Sequence, residues 1–185
     1  MPRKIGILIS GRGSNMMELV RQAGDAYEVV VVASDKPEAA GLAWAHENGV
    51  PTFALSPRGI GKAAYEAAMT AALRTAGVEI VALAGYMRLL SDEFVADWRG
   101  HILNIHPSLL PKYKGLDTHQ RAIDAGDSEA GCSVHVVTEE LDAGEVLGQA
   151  RVPIQPGDDA DTLAARVLAE EHRLYPRVLA DFAAR

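Results

Sequence analysis

Five short apolar runs, each parted from the next by a helical pattern, constrain this chain more than any other feature. Lys4–Ser10, Tyr27–Ser34, Thr52–Leu55, Val78–Ala84 and Ile102–Ile105 read as strands. The second holds Val29-Val30-Val31-Val32-Ala33, a β-branched run suited to a strand covered on both faces. Helical patterns fill the gaps over Asn15–Ala23, Ala40–Asn48, Lys62–Ala76 and Asp92–Trp98. In the first of them Met16, Leu19, Val20 and Ala23 share one face. Gly49, Gly77 and Gly100 supply the stops, and Ser91 the cap of the fourth. Strands alternating with helices require parallel pairing through right-handed crossovers. The expected class is α/β, with a Rossmann-like, doubly wound, mostly parallel sheet.

The rhythm changes after His106. A loop runs to Gly115, a helix is expected over Thr118–Ala125, and strands over Gly131–Val137 and Val146–Pro153. The link between those two strands is too short for a helical crossover, so they should form a carboxy-terminal antiparallel pair. A last helix over Thr162–Leu174 is expected to be capped by Asp161 and kinked or restarted by Pro176. No repeat, low-complexity stretch or linker interrupts the chain, and its 185 residues suit a single domain.

Composition narrows the function. A net charge of −7 makes a poor general binder of nucleic acid, because that affinity comes from lysine and arginine neutralising phosphates. The lone Cys132 excludes an intrachain disulfide and supplies no metal cluster. Met1-Pro2-Arg3-Lys4 precedes an apolar run too short for a signal peptide or a membrane span. A cytoplasmic soluble enzyme or binding domain is therefore expected.

Chemistry concentrates in two segments. In Asn104-Ile105-His106-Pro107, the asparagine and histidine are two apart, so on an extended strand both side chains face the same way. They sit at the carboxyl end of an apolar strand, where open α/β sheets bind ligands. An amide donor steadies a developing oxyanion, and a histidine carries a proton near neutral pH. Gly11-Arg12-Gly13-Ser14-Asn15 joins the first strand to the first helix and can aim free N–H groups at an anion. It is no P-loop, lacking Gly-Lys-Ser/Thr at the required spacing. As a dinucleotide loop it has Asp35 at a suitable distance but Met16 where the third glycine belongs. A tight turn that merely needs glycine is the bland alternative.

Asn104-Ile105-His106-Pro107-Ser108-Leu109-Leu110-Pro111, followed by Gly115 and by Leu141-Asp142-Ala143-Gly144, resembles the folate-dependent formyltransferases. Within them, Ile9-Ser10-Gly11-Arg12-Gly13-Ser14-Asn15 is similar to the branch that formylates glycinamide ribonucleotide in de novo purine biosynthesis. The resemblance runs from about Lys4 to Tyr175. It implies one formyltransferase domain, 1–105 forming the phosphate-binding half and 106–185 the folate and catalytic half. It implies 10-formyltetrahydrofolate as formyl donor, glycinamide ribonucleotide as acceptor, no metal, no nucleic acid or membrane partner, and a monomer or homodimer. Asn104 is then the oxyanion donor, His106 the proton carrier and Asp142 their partner. Gly11, Arg12, Gly13, Ser14 and Asn15 would hold the ribonucleotide, with Glu171 on its ribose or amine. Met87, Arg88, Leu89 and Leu90, with Val137, Thr138, Glu139, Glu140 and Leu141, would hold the folate alongside Asn104. Lys62 matches a basic position on the folate side, and His119 and His135 match the pocket region.

Asp117 departs from the family, whose members often carry a histidine there; its expected role is to cap the helix at Thr118. Three rivals share parts of the pattern. A formyltetrahydrofolate hydrolase would use the same asparagine, histidine and aspartate but lacks this glycine loop. A methionyl-tRNA formyltransferase would need a basic surface. A non-catalytic dinucleotide-binding domain would use Gly11, Gly13 and Asp35 and leave His106 unexplained. A zinc site from His106, His119, His135 and Asp142 fits no compact ligand spacing.

Overall fold

Alternation in the sequence becomes a seven-stranded sheet in the order β3-β2-β1-β4-β5-β6-β7. The structure, a computed structural model, describes residues 1–185. Its strands are β1 (Arg3–Ile9), β2 (Tyr27–Ser34), β3 (Thr52–Ala54), β4 (Ile80–Leu83), β5 (Ile102–His106), β6 (Glu129–Val136) and β7 (Val146–Pro153). The helices are α1 (Ser14–Arg21), α2 (Ala40–Glu47), α3 (Lys62–Thr75), α4 (Asp92–Asp97), α5 (Thr118–Asp124) and α6 (Ala160–Ala183). The first five strands pair in parallel, and β6 and β7 follow antiparallel, as the change of rhythm predicts. Chain order reverses between β1 and β4, which opens a crevice beyond their carboxyl ends.

Strand side chains alternate between two cores. Ile5, Ile7 and Ile9 of β1 join Met16, Leu19, Leu42, Ala122, Leu163 and Leu174 on one face. Leu8, with Val81 and Leu83 of β4, packs on the other face against Tyr65, Met69 and Leu73 of α3 and Phe94, Val95 and Trp98 at α4. Burial on both sides is what the continuous apolar strands required.

Helix ends show where local chemistry prevails and where it does not. Ser91 caps α4 as expected, its hydroxyl accepting from the Phe94 amide at 3.1 Å. The cap of α6 is Asp159, not Asp161: Asp159 accepts from the Thr162 amide at 2.8 Å while the Thr162 hydroxyl accepts from the Asp159 amide at 3.0 Å. Asp158-Asp159-Ala160-Asp161 offers competing caps, and only Asp159 stands three residues before a side chain that closes the box. Pro176 does not end α6 either. The His172 carbonyl, which a proline four residues on leaves without its helical donor, accepts instead from Gln22 Nε2 at 3.4 Å. Asp117 precedes α5 but in a left-handed conformation, φ 55°, and its side chain makes no cap bond. No helix is long and apolar enough to cross a membrane.

The unbroken α6 places Tyr175 under the sheet. Its hydroxyl lies 2.9 Å from the Leu83 carbonyl and 3.2 Å from that of Leu103, tying the helix to the end of β4 and the beginning of β5. Tyr175→Phe should lower the unfolding free energy by about 1–3 kcal/mol, since it strands buried carbonyls; urea titration measures the loss.

Candidate active site

A cleft of about 1000 Å³ opens at the β1/β4 crossover point, and segments from both halves of the chain line it. One wall is the turn after β1. Gly13 adopts φ 72°, open to glycine at little cost, and stands as the uncapped start of α1. The start of α2 presses on the same turn: the Gly41 amide donates to the Gly11 carbonyl at 3.1 Å, and a Cβ on Gly41 would come within 2.9 Å of the Arg12 carbonyl. No side chain takes the first amides of α1, which remain available to an anion. Asn15 Oδ1 is buried there without a partner.

Facing this turn is Glu171 of α6, 7% exposed. Burial pushes its carboxyl up from the ordinary 4.5 to about 7, with Asn15 beside it opposing the shift. Asp35, the residue a dinucleotide would need, is 6% exposed and already accepts from the Ser10 hydroxyl at 2.7 Å. That hydroxyl accepts in turn from the Met87 amide at 2.9 Å, so Asp35 serves the loop after β4.

The far wall carries the polar cluster. Asn104 of β5 stands opposite His135 of β6, and His106 opposite Ser133. His135 Nδ1 lies 3.2 Å from the Val136 carbonyl, which only accepts, so Nδ1 bears the proton and Nε2 takes a hydrogen bond from Asn104 Nδ2 at 3.2 Å. Burial holds His135 below the usual imidazole value, reinforcing this neutral form. Asp142 arrives from the turn before β7 in a left-handed conformation, φ 49°. Its Oδ2 accepts from the Gly115 amide at 2.9 Å and faces His106 Nδ1 at 3.5 Å; its Oδ1 faces His135 Nε2 at 3.6 Å. These groups are not arranged with others into any set of three or more that could hold a metal.

Between the two walls the mouth is apolar. Of the large hydrophobic residues left exposed, Met87, Leu89, Leu116 and Leu141 all border this cleft. Such a concentration on a water-facing rim marks a binding surface. Arg88 lies over the Tyr65 ring at 5.5 Å, and the Tyr65 and Tyr86 hydroxyls meet at 2.7 Å.

The cleft thus gathers Gly11 to Asn15, Met87 to Leu90, Asn104, His106, His135, Val137 to Asp142 and Glu171. Two expected residues lie outside it. Lys62 opens α3 with its side chain in solvent, and His119, half-buried on α5, is near His106 without being part of the lining. Burial, with His106 nearby, holds His119 below its usual value, and its Nδ1 is unpartnered. Three contributors had no signal in the sequence: Leu168 lines the wall, and Ser133 and Gln149 brace the loop after His106. Gly115, noted there only as part of the motif, gives its amide to Asp142. Ser133 donates to the Ser108 carbonyl at 2.7 Å and accepts from the Leu110 amide at 3.0 Å; Gln149 donates to the Leu110 carbonyl at 2.9 Å.

Comparison with known proteins follows this geometry. Residues 3–179 match the family described as formyl transferase. A phosphoribosylglycinamide formyltransferase of Escherichia coli is 43% identical, covering 97% of this chain and 86% of that protein. The trifunctional purine biosynthetic protein adenosine-3 of Drosophila melanogaster is 44% identical over 96% of this chain, which spans only 14% of that protein's length. A crystal structure of phosphoribosylglycinamide formyltransferase from Brucella melitensis superposes with a TM-score of 0.95 at 53% identity, covering all of this chain (100%) and 97% of that one.

Buried Glu171 gives a stability test. The folded carboxyl binds its proton more tightly than the unfolded one, so its contribution is full below about pH 4.5 and lost as pH rises through about 7. Glu171→Gln should match the parent at acid pH and exceed it above neutrality, read by guanidinium titrations at both ends.

Proposed function

The chain belongs to the formyl transferase family, and from that membership we propose that it moves the formyl group of 10-formyltetrahydrofolate to the amine of glycinamide ribonucleotide, giving the N-formyl ribonucleotide and tetrahydrofolate in purine biosynthesis. The observation that carries the proposal is one cleft with a glycine turn at one end and Asn104, His106 and Asp142 at the other.

Each part has a task. The ribonucleotide phosphate sits against the amides of Gly11 to Asn15 with Arg12 adding charge, and Glu171 meets the ribose or amine. The folate takes the apolar mouth: Met87, Leu89 and Leu90 on one side, Val137 to Leu141 on the other, Arg88 at the rim. The first half of the chain supplies the phosphate turn and the second the catalytic groups, while the folate draws on both. A cytoplasmic setting goes with this chemistry.

The amine nitrogen attacks the formyl carbon, forming a C–N bond and placing negative charge on the former carbonyl oxygen. Asn104 Nδ2 spends one hydrogen on His135 and keeps the other for that oxygen. His135, neutral and accepting, therefore aims the amide rather than transferring protons. The amine loses a proton, the bond from carbon to N10 breaks, and N10 gains a proton. His106 carries a proton through its Nδ1, where the facing Asp142 carboxylate offsets the charge. No nucleophilic side chain is needed. Ser108 is occupied by the Lys112 carbonyl at 2.6 Å, and burial pushes the Cys132 thiol up to about 12.

Release of tetrahydrofolate, followed with and without glycinamide ribonucleotide, tests the function. Release only when the ribonucleotide is present is expected; equal release without it would make the protein a hydrolase. His106→Ala or Asp142→Asn should cut kcat by about 10²–10⁴-fold with ribonucleotide binding nearly intact. Gly13→Ala or Ser14→Ala should instead act chiefly on the ribonucleotide KM, measured by steady-state kinetics.

A further inference from the structure

His106 is gripped from behind by a group outside the cleft. Its Nε2 lies 2.8 Å from the main-chain oxygen of Tyr113. A carbonyl only accepts, so Nε2 holds a proton, and Nδ1, facing Asp142, is the nitrogen left to gain or lose one. Tyr113 presents that carbonyl from a left-handed conformation, φ 54°, which a non-glycine residue keeps only when its surroundings impose it.

Asp127, just beyond α5, holds the side chain of this residue. The Tyr113 hydroxyl donates to Asp127 Oδ2 at 2.6 Å, and Lys112 Nζ reaches the same oxygen at 3.2 Å. Arg121 covers the Tyr113 ring at 5.3 Å while donating to the Lys114 and Leu116 carbonyls at 2.6 and 3.1 Å. The turn is thus held at its ring, its hydroxyl and its backbone. Tyr113, Arg121 and Asp127 do not line the cleft.

We propose that Asp127, acting through the Tyr113 hydroxyl, is a positioning residue for His106: it pins the turn whose carbonyl keeps the imidazole proton on Nε2 and turns Nδ1 toward Asp142. The proposal rests on the reading of His106 as proton carrier. Once the hydroxyl no longer bonds to Asp127, the turn is free to leave its left-handed state, the carbonyl withdraws, and the neutral ring can put its proton on Nδ1. In that form Nδ1 cannot accept the proton the reaction must move.

The test uses the full chain with Tyr113→Phe, Asp127→Ala and Asp127→Asn. Heteronuclear NMR of the imidazole nitrogens reads the neutral tautomer of His106, which a drop in stability alone would not change. The parent should show the proton on Nε2. Tyr113→Phe and Asp127→Ala should show a mixture, with kcat down about five-fold, the scale of a single hydrogen bond. KM for both substrates should stay within about two-fold of the parent, because Tyr113 and Asp127 do not line the cleft. Asp127→Asn keeps an acceptor for the hydroxyl and should recover most of the turnover. An unchanged His106 signal in both the phenylalanine and alanine variants overturns the proposal. So does a fall in kcat that a thermal melt accounts for wholly by unfolded protein. Near-normal turnover in His106→Ala would instead sink the catalytic reading of His106, and leaves the spectral test of its tautomer to stand by itself.

Discussion

The antiparallel pairing of β5 with β6 is the constraint from which the rest of the site follows. It sets Asn104 against His135 and His106 against Ser133, so a donor and an acceptor meet in one row and a histidine and its loop brace in the next. A one-residue slip of β6 would send His135 and Ser133 to the opposite face, away from Asn104 and His106. The same reversal of direction lets the chain turn back at once, so that the turn between β6 and β7 delivers Asp142 to both histidines. A further parallel strand would have required a helical crossover there and carried the carboxylate away.

Holding polar groups this deep is costly unless each has a partner. His106, His135, Asp142 and Glu171 are all buried, at 6%, 2%, 9% and 7% exposure. Each of the first three has its own partner: the Tyr113 carbonyl for His106, Asn104 and the Val136 carbonyl for His135, and the Gly115 amide for Asp142. Glu171 has only Asn15 beside it, and its raised pKa is the result. One end of the cleft is therefore a finished network, and the other is left open around an uncapped helix start. That asymmetry suits a reaction in which one substrate is gripped by its anion and the other is worked on at a carbonyl.

How much could be read in advance depended on whether the information was local. Asn104 and His106 were legible because a strand's period of two puts them on one face whatever surrounds them. The glycine turn was legible because Gly13 needs a positive φ and stands before an amphipathic helix. Lys62 and His119 were placed by family likeness, and neither lines the cleft. The cap of α6 went to Asp159 because its geometry depends on Thr162 closing the box. Pro176 fits inside a helix because a side chain from the end of α1 supplies the missing donor. The groups that Tyr113 and Gly115 offer the site are a main-chain carbonyl and a main-chain amide, whose direction follows from the fold of the loop and not from the pattern of side chains.

Patterns along the chain were enough to determine a doubly wound sheet with an antiparallel end, the strand end that bears the amide and imidazole, and a glycine turn opening the first helix. Those are consequences of backbone periodicity and of which residues tolerate which dihedral angles, and both act over a few neighbours. Only the tertiary structure decided that Asp142 faces two histidines, that Asp35 is consumed by Ser10, that Glu171 faces the glycine turn, and which nitrogen of His106 is free. Each of these depends on groups distant in sequence brought within a few ångströms, where hydrogen-bond direction and loss of water settle what a side chain does.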